Sequence, residues 1–239
     1  MTGLHWLTGT IKAQPDLFRL INEFNQHPQN WVHPEVFEKV PENRLMHFLA
    51  GTLSGRDISS RWVSSHLNLS DENRFWDFED EKKRLALLSW ERLDQLARAT
   101  GATLNASKIL TLISKQEIRD LKNEVGLDAY EFSLRRGAHL KISDAMKEFA
   151  EQWREHETSE MPERTLGKES TRLGWSVVRT SLGDGPKPLW QRFNLKIPPE
   201  FQDPLIGDSP VEENAVKCWE FVRVVAHKLL PKLELRCFS

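Results

Sequence analysis

Three stretches hold the residue types from which chemistry could be built. FNQHPQNWVHPEVF, residues 24–37, puts two His-Pro pairs, an Asn and a Trp in one turn-rich segment. Two imidazoles so placed could begin a metal site. DENRFWDFEDEKKR, residues 71–84, sets six acids and four bases around Phe75, Trp76 and Phe78. Grouped carboxylates could serve as general acid and base, or as metal ligands. Cys218 and Cys237 could supply a thiolate nucleophile or a soft ligand.

None of the three completes a pattern. His27 and His33 are separated by breaks at Pro28 and Pro34, so no regular element aims both at one ion. A structural zinc site wants four Cys or His ligands, and the cysteines lie far along the chain without a Cys-x-x-Cys pair. Each Pro pushes its preceding His toward extended geometry. Asn25 suits a helix end or turn, while Trp31, Val32 and Phe37 can cover a core. The segment reads as a rigid, aromatic-anchored surface loop. The acids of 71–84 lack the central Gly of a calcium loop and read as an exposed helix start, favoured by the helix dipole. Their competing use, as carboxylates of a small hydrolase or transferase at 71–81, needs a pocket where they converge. There is no Gly-x-Ser-x-Gly elbow, phosphate loop or dinucleotide fingerprint, and GDGPKP at 183–188 is a turn. Catalytic, metal and cofactor-binding residues are therefore expected to be absent.

The elements that position these stretches are mostly helices. Leu17, Leu20, Ile21 and Phe24 recur at helical spacing over 16–24. A short helix over 42–53 would turn Leu45, Phe48, Leu49 and Leu53 inward. Leu85, Leu88, Leu93, Leu96 and Ala97 mark a helix that Gly101 could end. Ile109 to Ile113 offers an apolar face, Ser114 and Glu117 form a capping box, and Gly126 closes that helix. Ser143 starts another, with Met146, Phe149, Ala150 and Trp153 on one side. Over 164–182 a stripe of Leu166, Leu173, Val177 and Val178 alternates with Gly167, Ser170 and Gly174, small enough to admit a neighbouring helix. WQRFNLKIPP alternates Phe193, Leu195 and Ile197 against Arg192, Asn194 and Lys196, the pattern of a short extended arm. Ser209, Pro210 and Glu212 announce a final helix to about 230, with Val216, Trp219, Val222, Ala226 and Leu229 inward. Trp90, Trp153 and Trp219 fall on apolar stripes and read as core.

The expected fold is a compact, mainly α globule, its one departure an extended arm or small sheet that would make it α+β. A single domain over 1–239 would join an irregular, Pro-broken part, about 1–80, to a helical body, about 81–239. The chain of 239 residues is 39% hydrophobic and 28% charged, with nine Trp and twelve Phe, ample for a core. Net charge is -2 with no long basic run, and Arg135, Arg136 and Lys141 make no stripe for nucleic acid. No apolar run approaches the ~18 residues of a membrane span, and the start lacks a signal peptide's features. The cysteines are read as reduced thiols of a soluble, intracellular protein.

Taken in order, several segments resemble the SctK family of bacterial type III secretion systems. FNQHPQNWVHPEVF is similar to its Asn-Pro and aromatic-His-Pro pattern, and LTLISKQEIRDL at 110–121 to its central leucine-rich helix pair. LWQRFNLKIPP at 189–199 and the closing VAHKLLPKL also resemble family segments, so the likeness runs from about 24 to 233. The chain is longer than the family pattern around 71–84 and 200–208. The resemblance implies a cytoplasmic adaptor without catalysis, peripheral to the inner-membrane base and monomeric in isolation. Its implied partners are the ring protein SctD, through its cytoplasmic domain, and the pod protein SctQ, with neither nucleic acid nor membrane insertion. Since Trp and Arg dominate interface energetics, Trp31, His33, Trp190, Arg192 and Phe193 are the expected partner contacts.

Overall fold

The prolines that break the N-terminal sequence mostly begin helices there. Pro supplies the fixed φ of a first helical position, where its missing N–H costs nothing. Thus Pro15 opens α2, Pro28 a 3-10 turn over Pro28–Asn30, and Pro34 the single turn α3. In the computed structural model, which describes residues 2–52, 54–69, 74–158, 165–202 and 212–231, the chain is mainly α, with no strand among those residues. The helices are α1 (Thr2–Ala13), α2 (Pro15–Gln26), α3 (Pro34–Phe37), α4 (Asn43–Ala50), α5 (Arg56–His66), α6 (Trp90–Leu104) and α7 (Ala106–Leu110). They continue as α8 (Lys115–Val125), α9 (Leu127–Arg135), α10 (Asp144–Thr158), α11 (Leu166–Ser181), α12 (Lys187–Asn194) and α13 (Glu212–Leu229). Among the described residues no helix is long and apolar enough to cross a membrane.

The helices gather into two compact units, the first from the residues up to 90 with 185–202 returning to it, the second from 91–184 and 212–231. In the first unit, Leu17, Ile21 and Phe24 of α2 are buried, as the spacing predicts. Trp31, Val32, Val36 and Leu69 form one cluster, and Val40, Met46 and Val63 another. The extended arm expected over 190–199 is instead α12 followed by the 3-10 turn Pro199–Phe201. Leu189 and Phe193, one helical turn apart, are both fully buried, and that pairing prevails over the alternation.

The second unit is built on α11. Ser170 and Gly174 on this helix face Ala97 and Gly101 on α6 so closely that a methyl on either glycine would collide with the opposite backbone. The small residues of 164–182 thus do admit a neighbour. Gly101 does not end α6, which runs on to Leu104. Further packing comes from α8 and α13, and α10 lies against α13. Three other stop and start signals hold. Ser114 Oγ accepts from Glu117 N, Ser143 Oγ from Met146 N, and Gly126, at φ 86°, caps α8. The capping box expected at Ser209 and Pro210 lies outside the described residues. Three faces differ from expectation. Over 109–113 Ile109 is buried while Leu110 and Ile113 face solvent. On α13, Ala215, Cys218, Val222 and Val225 are buried while Val216 is exposed; on α4, Met46 is buried while Leu45 and Phe48 face solvent.

Candidate functional site

The segments 24–37 and 189–199 meet in the first unit, though about 160 residues separate them. The His33 amide donates to the Leu195 carbonyl (2.8 Å). One residue on, Lys196 is 1% exposed and donates to the carbonyls of Ala86 (2.6 Å) and Leu88 (2.7 Å). Those oxygens close the 3-10 helix Glu81–Leu87, a terminus that attracts cations. The same ammonium lies 5.2 Å from the centre of the Phe24 ring and 5.1 Å from that of Trp31, which stack on one another. Two aromatic faces and two carbonyls replace the water a buried ammonium gives up. Lys196 is a pin through the unit.

Around the pin the polar groups serve the backbone. Asn25 reaches across 50 residues to pair with Phe75, donating from Nδ2 to its carbonyl (2.7 Å) and accepting its N–H at Oδ1 (2.8 Å). Arg84, also buried, donates to the Phe78 carbonyl (2.9 Å). These contacts hold the extended chain after residue 74 against α2.

Of the five expected partner contacts, four lie inside. Trp31, His33, Arg192 and Phe193 are buried, Arg192 at 2% exposure, and His33 packs its ring edge-on to Trp90 at 4.9 Å. Trp190 is half-buried, its ring 5.7 Å from that of Phe193. The outward placement expected of Trp31, His33, Arg192 and Phe193 is corrected: these four fill a core.

A cleft of about 540 Å³ in this unit is lined by His27, Asp57, Ser60, Arg61, Arg74 and Arg192, among others. His27 Nδ1 lies 2.9 Å from Ser60 Oγ, the distance of a nucleophile and its base. The other contacts of Ser60 fix the roles differently. Its hydroxyl proton goes to the Arg56 carbonyl (2.8 Å), and Gln29 Nε2 donates to its oxygen (3.0 Å). Ser60 Oγ is left an acceptor toward His27, which holds its proton on Nδ1 and cannot abstract one there. Burial, then the nearby Arg56, push His27 below its ordinary value and keep it neutral. The pair ties the loop 27–29 to α5.

Two acids of the second stretch are engaged separately, not on a common centre. Asp77 pairs with Lys83 (2.7 Å), and Asp80 accepts from the Lys82 N–H (3.1 Å) to cap the 3-10 helix. Asp71 and Glu72 lie outside the described residues, as does Cys237. Cys218 is a buried free thiol whose ionisation burial pushes up to about 12, the reverse of an activated nucleophile. Among the described residues no three His, Cys, Asp or Glu converge as metal ligands would. The second unit carries an open groove of about 450 Å³ between Leu104, Leu110, Leu140 and Ile142. Its basic side chains are spoken for: Lys108 and Arg154 both bind Glu169 (3.1 and 2.9 Å), and Arg154 also holds Asn105 (2.9 Å).

Sequence reasoning passed over Lys196, Asn25 and Arg84. A single Lys between Leu195 and Ile197, two residues before a Pro pair, was the visible sign of the first. The partners of the other two sit too far along the chain for any local sign. No family model, curated protein or solved structure matches this chain.

Proposed function

We propose that the protein is an adaptor without catalysis, of the SctK kind, in the sorting platform of a type III secretion system. In that role it joins the cytoplasmic domain of a ring protein of the SctD kind to a pod protein of the SctQ kind, and through the pod to the stator and ATPase. It works in the cytoplasm, peripheral to the inner membrane, and effector export needs it. One observation carries this function. The segments 24–37 and 189–199, which bear the family likeness, interlock through the His33–Leu195 hydrogen bond and the seat of Lys196 on Phe24 and Trp31. The likeness thus falls on residues that build one framework, as a shared fold would require. The polar groups near them are occupied in holding that framework, which accords with work done by surfaces.

Co-expression with the ring domain and the pod protein of the same genome tests the proposal. The chain is expected to co-elute with at least one of them on size exclusion. Elution apart from both, when each of those proteins is folded, would overturn it.

A further inference from the structure

The amphipathic stripe of α4 points the wrong way for a helix that merely covers a core. Leu45 is 50% exposed and Phe48 71%, with Met46 alone buried on that helix. The neighbouring α5 behaves alike: Ile58 is 51% and Trp62 38% exposed, while Ser59 and Val63 are buried. Leu45, Ile58 and Trp62 share one face, and Phe48, three residues after Leu45, lies at its outer edge. The helices run antiparallel, since Ser59 Oγ donates to the Met46 carbonyl (2.8 Å) and Trp62 Nε1, further along α5, to that of Pro41 (3.0 Å), ahead of α4. In two right-handed, antiparallel helices, residues just before the facing positions fall on the same side. Leu45 precedes Met46, Ile58 precedes Ser59 and Trp62 precedes Val63.

We infer that this seam between α4 and α5 is a docking site for an amphipathic helix with acidic flanks, supplied by a partner protein. Two apolar ridges beside a seam give a third helix its groove. Charge selects the occupant. Exposed Arg44 borders the stripe beside Phe48, and exposed Arg61 borders it beside Ile58. From 43 to 66 there are three Arg, at 44, 56 and 61, against one acid, Asp57, a surplus of two positive charges in a chain whose net charge is -2. A second copy of the same face would bring arginines onto arginines, which disfavours self-association. An anionic membrane is usually read by about four to eight clustered cations, more than are present. The site goes beyond the adaptor function proposed above and does not depend on it.

The test titrates the full, isotope-labelled chain with a peptide of about 20 residues, leucines at helical spacing and glutamates along both flanks. The parallel arms are the same peptide with lysines for glutamates, phosphatidylglycerol vesicles, and the protein alone over a concentration series. The glutamate peptide is expected to shift the Trp62 indole and the α4–α5 amides in NMR spectra. Binding should weaken roughly tenfold or more in Arg44→Glu/Arg61→Glu and in Phe48→Ser/Ile58→Ser. The control Leu110→Ser/Ile113→Ser, which removes exposed side chains of the second unit, should bind unchanged. The charge pair keeps the test valid should the serine pair disturb folding, because both arginines are exposed. Equal binding of the lysine peptide, shifts by vesicles or self-association instead, equal loss in the control pair, or no shift in any arm would overturn the inference.

Discussion

Lys196 decides most at the scale of single residues. Replacing it with Met keeps the length of the side chain but leaves the Ala86 and Leu88 carbonyls buried without their donor. Unpaired buried carbonyls and a lost charged donor together cost about 2–4 kcal/mol. Urea denaturation of Lys196→Met should show that loss, and an unshifted midpoint would remove Lys196 from its structural role. His27 gives a pH dependence of definite sign. Its folded pKa lies below the unfolded one, so around pH 6.5 and below the unfolded chain binds more protons and stability falls as pH falls. The loss begins near the ordinary value of 6.5 and levels off below the folded pKa; His27→Gln should flatten it in melts between about pH 7 and 5. Cys218, its ionisation pushed to about 12, should resist alkylation at pH 8 in the folded protein and react once it unfolds. Mass spectrometry of the tryptic peptide reads the difference.

Among the elements, the contact between α6 and α11 is the least forgiving. Gly101→Ala sets a methyl against the Ser170 carbonyl, which belongs to a helix backbone and cannot rotate aside. Helix propensity favours Ala over Gly by about 1 kcal/mol, yet the clash should destabilise by about 3 kcal/mol in excess of that gain. A stabilised Gly101→Ala would mean the helices do not cross there. The same residue shows how far elements were legible in the sequence. Ser114, Ser143 and Gly126 announced their helix ends correctly, because a cap is satisfied within one turn of chain. Gly101 looked like such an end, but its requirement came from a helix seventy residues later. Spacing placed α2 and α10 well, though it turned α4 and part of α13 the wrong way round. Periodicity reports that a stripe exists, and only the rest of the fold decides what the stripe meets. Trp31, His33, Arg192 and Phe193 failed as surface anchors for a related reason, since aromatic and Arg side chains serve interiors and interfaces alike.

For the molecule as a whole, connectivity matters more than composition. Each unit is completed by chain distant from its main segment: α12 and Lys196 in the first, α13 in the second. A chain ended after residue 184 should therefore lose the cooperative thermal transition of both units, as followed by circular dichroism and near-ultraviolet signals. A surviving transition would show that one unit folds without its returning segment. The mainly α class was legible from periodicity and from helix starts and stops along the sequence. The division at 90 was not, because no run of Gly or Ser marks it, and GDGPKP at 183–188 announced a turn without saying that the chain returns there to the first unit.

That return has a consequence for biosynthesis. Phe24, Trp31 and the carbonyls of Ala86 and Leu88 leave the ribosome long before Lys196 does. At ordinary rates of translation the roughly hundred intervening residues take about 5–20 s. Through that interval a nascent aromatic cradle stands without its ammonium, and a chaperone that shields greasy surfaces would find it there.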